Sequence, residues 1–308
     1  MTARRPGAAR AALAAAVVFL SLATGGCGAT QSHAETAPTG TPLDLSGYEI
    51  SFEEGFSTLS IGDRPGSGMR WYNHTPWNGD FGDAGFAAPG PDGPFSRGAK
   101  GMNITARRGA DGRWSSGLIS SRDRDGPEGR GFVQQYGYFE IDAKLPSGMG
   151  VWPAFWLIGV DKSESSAEID VMEYYGGFPR YYHCVAHIWR GGKDVLSRDF
   201  LIRVQDNLLT DQFNKFGVLI EPETTTFYLN HRVVGAMETP PEYRQPFYIL
   251  ANLAIGGGWP IEKLTTPKTM EIARIRVYRR IAAATPEPAA AAPAEATGAA
   301  TGPAGAPR

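Results

Sequence analysis

The stretch "SSAEIDVMEYYGG" places three carboxylic acids, Glu168, Asp170 and Glu173, within six residues of an apolar segment typical of a β-strand. Retaining glycosidases use two carboxyl groups about 5 to 5.5 Å apart, one as nucleophile and one as acid/base. A third acid between them makes simultaneous ionisation costly and raises one pKa toward neutrality, as a proton donor requires. The acids could instead be solvated residues of an edge strand or ligands of a structural cation. The apolar neighbours favour catalysis, because burying acids without such coupling is costly.

The spacing of the three acids raises a geometric problem. In a regular strand Glu168 and Asp170 share one face, whereas Glu173 points to the other. A β-bulge removes this conflict, because it adds one residue to a strand and re-aims the side chains that follow. We therefore predict a bulge at Val171 or Met172, which turns Glu173 onto the face of the other two acids, in a strand that curves so that the carboxyl groups converge.

The segments around the acids predict many short strands. In "YGYFEIDAKL", polar and apolar residues alternate from Tyr138 to Leu145, as in a half-buried antiparallel strand. The pair Asn230-His231 lies between apolar runs and predicts a hairpin turn, and the segment from Asp206 to Phe216 predicts a helical turn or short helix. Many strands joined by Gly-rich connections predict an all-β sandwich, jelly roll or barrel.

The N-terminal segment is typical of an export signal. It has a basic start, an apolar stretch from about Ala11 to Ala23, and then small residues. The apolar part is too short to span a bilayer comfortably. "TGGC" resembles a bacterial lipobox, in which Cys27 would be lipidated; an ordinary secretion signal with an incidental cysteine is the alternative. Cys184, the other of two cysteines, is expected to be a small buried hydrophobe without a disulfide.

These features divide the chain into four parts. We predict a signal peptide with its lipobox at 1–27, a linker at 28–44, one catalytic domain at 45–281 and a disordered Ala/Pro-rich tail at 282–308. The protein is then exported to the bacterial periplasm or cell surface, with membrane contact only through the lipid on Cys27, or else secreted. A net charge of −2 argues against nucleic acid as a partner, and we expect a monomer.

The segment "EIDVMEYYG" resembles the signature of glycoside hydrolase family 16, in the branch with the bulged pattern Glu-x-Asp-x-x-Glu. Three other segments resemble the family in the family's order: "QYGYFEIDAKLPSGMGVWPAFWLIG", which is similar to laminarinase-like members, "PFYILANLAIGGGWP" and "IARIRVYRR". An ordered set is far more specific than one acid triplet. The resemblance spans roughly Tyr48 to Arg279. It implies a concanavalin A-like β-jelly-roll sandwich of two curved antiparallel sheets, with a substrate cleft on the concave face.

The resemblance also implies roles for the acids. Glu168 would be the nucleophile, Glu173 the acid/base, and Asp170 an assistant that hydrogen-bonds the nucleophile and tunes the shared proton. Many members hold a structural calcium on the convex face through an Asp of the last strand. That position here is Ala273, so we expect no cofactor of this kind. The sequence also contains no His/Cys cluster that suggests zinc.

Six residues are candidates for substrate contact. Tryptophans can stack on sugar rings, and the two that flank "PAF" in "WPAFW" share a strand face; core packing is the alternative for both. The histidine of "CVAHIW" could reach the acids or be structural. The aromatic, polar stretch "RWYNHTPWNGDFGD" is either a recognition loop or a surface loop that packs its own tryptophan. The tryptophan of "GGGWP" could be an aromatic residue of the cleft wall or could pack in the core. The six candidates are Trp152, Trp156, His187, Asn73, Trp77 and Trp259.

The leading hypothesis is an endo-acting retaining β-glycanase that cleaves internal bonds of a polysaccharide, first of all a β-1,3-glucan or a mixed β-1,3/1,4-glucan. A depolymerase of an acidic bacterial exopolysaccharide would use the same chemistry, with Arg190, Lys193 and Arg198 meeting acidic groups. A non-catalytic carbohydrate-binding protein on the same fold has no need for both Glu168 and Glu173. A structural lipoprotein is the remaining alternative.

Overall fold

Two β-sheets packed face to face make up most of the structure, a computed structural model that describes residues 40–63, 66–77, 79–126 and 128–282. The predicted all-β sandwich is confirmed. Among the described residues no helix is long and apolar enough to cross a membrane. The signal peptide with Cys27, most of the linker and nearly all of the C-terminal tail lie outside the described residues.

The strands are short to medium in length, as the frequent Gly-rich connections predict. In chain order they are β1 (Tyr48–Glu54), β2 (Ile61–Gly62), β3 (Trp71–Tyr72), β4 (Ala84–Phe86), β5 (Phe95–Arg97), β6 (Met102–Arg108), β7 (Trp114–Ser116), β8 (Leu118–Ser120), β9 (Gly137–Lys144), β10 (Val151–Gly159), β11 (Ser166–Glu173), β12 (Tyr181–Arg190), β13 (Lys193–Arg203), β14 (Asn214–Ile220), β15 (Thr224–Leu229), β16 (Arg232–Glu238), β17 (Phe247–Ile255) and β18 (Lys268–Arg280). The predicted helical turn is confirmed as α1 (Leu208–Asp211), and a 3₁₀ turn, η1 (Pro241–Tyr243), precedes β17.

The two sheets differ in size. The ten-stranded sheet has the order β16-β15-β14-β9-β18-β6-β7-β4, with β1 added to β18 and β5 to β6. The eight-stranded sheet has the order β13-β12-β11-β10-β17-β8-β3-β2. Most pairs are antiparallel, as predicted, but β2 with β3 and β4 with β7 are parallel. Both parallel pairs are at the end of a sheet and involve two or three residues per strand, so they adjust the edges without changing the architecture.

The main core lies between the sheets and follows the period-two alternation of the strands. On β9, Phe139 and Ile141 belong to this core, and on β11 Ala167 and Ile169 do. The intervening residues of β11 therefore point to the outer face of the eight-stranded sheet. We call this outer face the site face, because it carries Glu168 and Asp170.

A smaller apolar cluster covers part of the site face. Its buried members lie on β8, β10 and β17, and side chains from nearby loops pack over them. The buried members include Trp156 and Tyr248, and the covering side chains include Trp77 and Phe81. The open part of the site face is thus the half formed by β10 to β13.

The predicted hairpin turn at Asn230-His231 is confirmed. Both residues have positive φ, 50° and 61°, as a tight turn between right-twisted strands requires. The last residues of the predicted linker pack against this hairpin: the Leu43 N–H donates to the His231 carbonyl at 2.9 Å, and the Val233 N–H donates to the Thr41 carbonyl at 3.2 Å. Cys184 is a buried free cysteine, as predicted.

Candidate active site

Strand β11 contains a bulge where the sequence predicts one. Against β12 the register shifts between Asp170 and Glu173, so that Val171 and Met172 together oppose the single residue Cys184. Against β10, Met172 keeps a partner whereas Val171 has none. Val171 is therefore the extra residue. The Cys184 thiol donates a weak hydrogen bond to the Val171 carbonyl at 3.3 Å, which gives the displaced carbonyl a partner.

The bulge brings the three acids to one face. Val171 and Met172 are both fully buried in the main core, while Glu173, next in sequence, is partly exposed and contacts Trp152 of β10. Glu168 is also partly exposed, and Asp170 is 8% exposed. The predicted orientation of Glu173 is confirmed. The catalytic roles stay predictions.

Two neutral donors hold the carboxylate of Glu173. The Trp152 indole N–H donates to its Oε1 at 2.9 Å, and the Tyr175 hydroxyl donates to the same oxygen at 2.8 Å. Burial and the charge of Glu173 raise the pKa of Tyr175, so its phenol keeps the proton that it donates. Both bonds engage Oε1, which leaves Oε2 as the oxygen that can exchange a proton with a ligand.

Glu168 accepts a hydrogen bond from a different tryptophan. The Trp189 indole N–H donates to its Oε2 at 2.6 Å, and the Tyr243 hydroxyl donates to its backbone carbonyl at 2.6 Å. Burial raises the pKa of Glu168, while the charge of His187 and the Trp189 hydrogen bond lower it. These two contacts therefore favour the ionised carboxylate that a nucleophile needs.

Asp170 experiences the strongest pressure toward the protonated form. Burial, followed by the charges of Glu168 and Glu173, raises its pKa well above the ordinary value of 3.8. The sequence predicts one raised pKa in this cluster, and the structure has raised pKa values at both Asp170 and Glu168. A neutral Asp170 between two glutamates relieves the repulsion among three like charges.

His187 reaches the acids, as the sequence suggests. It lies on β12 directly opposite Glu168, and its Nε2 is 3.6 Å from Oδ2 of Asp170. Its Nδ1 is 2.8 Å from Oδ2 of Asp194 on β13. The imidazole thus lies between a carboxyl group of the acid cluster and a second carboxyl group behind it.

The two tryptophans of β10 have different environments although they share a strand face. Trp152 contacts Glu173 and stacks on Tyr175, with ring centroids 6.0 Å apart. Trp156 is 5% exposed, and its indole N–H donates to Asn252 at 2.8 Å. Because Trp77 packs edge-on against Trp156, Trp156 corresponds to the core-packing alternative and has little ring surface left for a sugar.

The remaining candidates lie on the loops around the site face. Asn73 is 6% exposed, and its amide donates to the Ala87 carbonyl at 3.0 Å, so it already has a structural partner. Trp77 is partly exposed, with the Lys162 ammonium 4.6 Å from its ring centroid. Trp259 is partly exposed and lies 6.0 Å from the Tyr175 ring, which places it beside the acids. Their contacts with a substrate stay predictions.

Sequence reasoning missed three residues that touch the site: Tyr175, Trp189 and Asp194. Trp189 follows His187 by two positions, so strand alternation already places both on one face. Tyr175 follows Glu173 by two positions, but beyond the end of β11, where alternation no longer applies. Asp194 depends on how β12 and β13 pair. The "GG" of "RGGKD" signals the turn between them but does not give the register.

The surroundings of Ala273 do not suit a calcium ion. The pocket beside it is lined by four cationic side chains and two acids, whereas calcium takes several oxygen ligands. Within the described ranges no group of three or more His, Cys, Asp or Glu side chains is arranged for a metal ion. The lining residues besides Ala273 are Lys100, Glu140, Asp142, Lys215, Arg274 and Arg276.

Comparison with known proteins gives a family match over more than half of the chain: residues 96–276 match the model of the glycosyl hydrolases family 16. The chain is 36% identical over 149 residues to an endo-1,3-1,4-beta-glycanase, EglC, of Rhizobium meliloti. This alignment covers 48% of this chain and 31% of that protein. It is 32% identical over 167 residues to a beta-glucanase of Rhodothermus marinus, and this alignment covers 47% of this chain and 57% of that protein. The matched regions thus span from 31% to 57% of these relatives' lengths.

Among solved structures, the laminarinase catalytic domain of Thermotoga maritima superimposes with a TM-score of 0.60 at 22% identity. The match covers 76% of this chain and 99% of that domain. At this level of identity the likeness establishes the fold, and the predicted jelly-roll sandwich is confirmed.

Proposed function

The chain belongs to the glycosyl hydrolases family 16, as its signature predicts, and on that premise we propose that it is an endo-acting, retaining hydrolase of β-glucans. The observation that carries the proposal is the bulge at Val171, which presents Glu173 on the same face as Glu168 and Asp170. A retaining glycosidase needs two carboxyl groups on one side of the scissile bond. A carbohydrate-binding protein has no use for that arrangement.

In the first step Glu173 donates a proton from Oε2 to the departing glycosidic oxygen, and Glu168 attacks the anomeric carbon. The bond between that carbon and the leaving oxygen breaks, and a covalent glycosyl ester forms on Glu168. Trp152 and Tyr175 hold Oε1 of Glu173, so the other oxygen points its proton at the bond. Trp189 orients Glu168 for attack.

In the second step Glu173, now ionised, takes a proton from water, and the hydroxide attacks the anomeric carbon. The ester bond to Glu168 breaks, and the sugar leaves with its original configuration. Burial and its two neighbours raise the pKa of Asp170 and so favour its protonated form, in which it donates a hydrogen bond toward the nucleophile and adds no third negative charge.

The substrate class follows from the relatives. The Rhizobium meliloti protein is named an endo-1,3-1,4-beta-glycanase and the Rhodothermus marinus protein a beta-glucanase. Both names support a β-1,3-glucan or a mixed β-1,3/1,4-glucan as the substrate. Trp259, partly exposed beside the acids, offers a ring face on which a glucose unit can stack. Trp152 is 7% exposed and packs against Tyr175 and Phe81, so its indole serves chiefly to hold Glu173.

The decisive experiment measures reducing-end release from laminarin, barley mixed-linkage glucan and carboxymethyl cellulose. We expect hydrolysis of the first two and a fast fall in viscosity, since internal cleavage shortens long chains early. NMR of the first products should show the β-anomer, as retention requires. Glu168→Gln and Glu173→Gln should both abolish release.

Glu140→Gln is the matched control, because it also neutralises a strand glutamate but on the other sheet. It should keep full activity. Binding of the glucans by the wild type without any release of reducing ends would overturn the proposal in favour of a carbohydrate-binding protein. Release that survives in both active-site variants would overturn the assignment of Glu168 and Glu173.

We further propose that the protein is exported and anchored by a lipid on Cys27, and that it acts as a monomer without a metal. The basic, apolar and small-residue order of the N-terminal segment supports export. Mass spectrometry of the mature N-terminus should find a diacylglyceryl group on Cys27, and Cys27→Ser should be released from membranes. Light scattering tests the monomer. A chelator should leave the melting temperature unchanged, since cationic side chains surround Ala273.

A further inference from the structure

Asp194 is a nearly buried acid that belongs to neither the family signature nor the acid cluster. It lies on β13 just after the Gly191-Gly192 turn, where a register shift places it opposite Trp189. Its side chain is 17% exposed. Oδ2 lies 2.8 Å from His187 Nδ1, and Oδ1 is buried without a hydrogen-bond partner among the described residues.

A carboxylate in this state is costly for the fold. Burying a charged oxygen without a partner carries a desolvation penalty. The penalty is paid although β13 is the edge strand of its sheet, where a side chain can usually reach water. Within the part of the chain that the structure describes, the hydrogen-bond contact of this carboxylate is to the ring of His187. We therefore attribute the presence of Asp194 to its contact with His187 and not to a contribution to the stability of the fold.

The contact determines how the imidazole is presented. A carboxylate can only accept, so Nδ1 must carry a hydrogen toward Asp194. The other nitrogen, Nε2, then faces Asp170 at 3.6 Å. Trp189 packs on the ring, with centroids 5.2 Å apart, and its indole N–H binds Glu168. The orientation of His187 is thus linked to two members of the acid cluster.

We propose that Asp194 is a positioning residue of the hydrolytic site, which acts through His187 by holding its Nδ1 and directing Nε2 and the ring's charge toward Asp170 and Glu168. This inference rests on the proposed function. The charge of His187 lowers the pKa of Glu168, so a correctly held imidazole keeps the nucleophile ionised at lower pH. Asp194 never touches the substrate in this scheme.

The groups that face His187 come from three elements. Glu168 and Asp170 lie on β11, Asp194 and Ser197 lie on β13, and the Tyr243 hydroxyl of η1 is 3.4 Å from the His187 backbone carbonyl. Glu168 and Asp170 take part in the reaction, and Tyr243 contacts only the backbone. Asp194 is therefore the group that can be altered to disturb the ring without removing a reacting acid.

The test compares Asp194→Asn, His187→Gln and the double variant on a glucan that the wild type hydrolyses. In Asp194→Asn the acid limb of kcat/KM should move to higher pH, since Glu168 loses part of the charge that lowers its pKa. At the wild-type optimum kcat should fall roughly tenfold, the effect of one lost charge-assisted hydrogen bond, with KM nearly unchanged. Adding Asp194→Asn to His187→Gln should change nothing further.

Glu140→Gln is the matched control, because Glu140 is a buried carboxylate that pairs with His231 on the other sheet. It should leave the pH profile unchanged. Asp194→Glu, which keeps the charge, should restore part of the acid limb. Additive effects of Asp194→Asn and His187→Gln, or a lower melting temperature with an unchanged profile, would overturn the inference.

An NMR measurement separates this inference from the proposed function. When the ring is neutral, the imidazole nitrogens of His187 should report a hydrogen on Nδ1 in the wild type and a shift of that hydrogen toward Nε2 in Asp194→Asn; when the ring is charged, both nitrogens carry a hydrogen. Unchanged nitrogen signals would overturn the role of Asp194 even in an active enzyme. A wild type that cleaves no glucan would overturn the proposed function, while the nitrogen signals would still decide whether Asp194 holds the ring.

Discussion

The outer faces of the two sheets each carry a cluster of acids, and the two clusters have different partners. On β9, Glu140 and Asp142 lie opposite Arg276 and Arg274 of β18. Glu140 also lies 2.5 Å from His231 Nε2 and accepts a hydrogen bond from Tyr138 at 3.0 Å. His231 pairs with Glu140, and Lys215 Nζ lies 4.0 Å from Asp142 Oδ2, so a cationic side chain lies beside each acid, although burial raises the pKa of Asp142.

On β11 the hydrogen bonds to the glutamate side chains come from neutral groups. Trp189 donates to Glu168, and Trp152 and Tyr175 donate to Glu173. Burial, followed by the repulsion from Glu168 and Glu173, raises the pKa of Asp170. Cations stabilise an acid by fixing its charge, whereas neutral donors orient it and leave its proton free to move. We therefore expect the partners of these acids to separate a structural cluster on β9 from the cluster on β11 that reacts in the proposed mechanism.

The largest effect should come from removing a reacting carboxyl group. Glu173→Gln should lower kcat by about 10²–10⁴, the contribution of a positioned acid/base, and Glu168→Gln should lower it at least as far. Initial rates on mixed-linkage glucan measure both. An activated aryl glycoside should be cleaved to the glycosyl-enzyme by Glu173→Gln but not by Glu168→Gln, since a good leaving group needs no proton. Equal behaviour of the two variants on that substrate would contradict the division of roles.

Asp170→Asn should reduce activity and increase stability at once. Because its pKa is raised in the folded state, the folded protein must keep a proton that the unfolded chain releases above the ordinary value of 3.8, so the penalty is present at neutral pH and disappears as the pH falls to that value. The neutral amide removes the penalty, so the variant should melt at a higher temperature than the wild type at neutral pH, and the two should converge in acid. We expect kcat to fall roughly a hundredfold, the scale of one strong charge-assisted interaction.

Melting curves across the pH range test the sign of this effect. A variant that is less stable than the wild type at neutral pH would mean that Asp170 is held as a charged, matched acid like those on β9. That result would remove the contrast between the two clusters.

Trp189→Phe removes one neutral hydrogen-bond donor from Glu168, and its effect on activity should be smaller than that of Asp170→Asn. Without the indole N–H, the pKa of Glu168 should rise further, because the Trp189 hydrogen bond lowers it. The acid limb of the pH profile should then move to higher pH, and activity at the optimum should fall about tenfold. Trp114→Phe is the control, since Trp114 is a buried tryptophan whose indole nitrogen has no partner among the described residues.

Glu140→Gln should leave activity unchanged and should measurably lower stability. It removes the charge that pairs with His231 and accepts a hydrogen bond from Tyr138, so the free energy of unfolding should fall by about 1–3 kcal/mol. Urea denaturation measures the loss. If this variant lost activity in proportion to Glu173→Gln, the outer face of the ten-stranded sheet would take part in function and the comparison would fail.

Much of the reactive cluster could be predicted from residue order alone. The parity of Glu168, Asp170 and Glu173 demands an extra residue, and the extra residue is Val171. The jelly-roll fold followed from alternation and from the order of the flanking motifs. The partners of the acids were harder to predict: Trp189 could have been found by alternation, but Asp194 required the register of a separate strand.

The residue order of β11 predicted that the three acids share one face, because strand alternation is local and a single extra residue is the simplest way to reverse it. The side chains that surround the acids could be read only from the folded molecule. Trp152 and Trp156 share one strand face, yet one contacts Glu173 and the other is buried beneath Trp77. That difference is set by a loop far away in sequence. Alternation along one strand specifies a face, whereas pairing and loop packing across the sheet specify the neighbours.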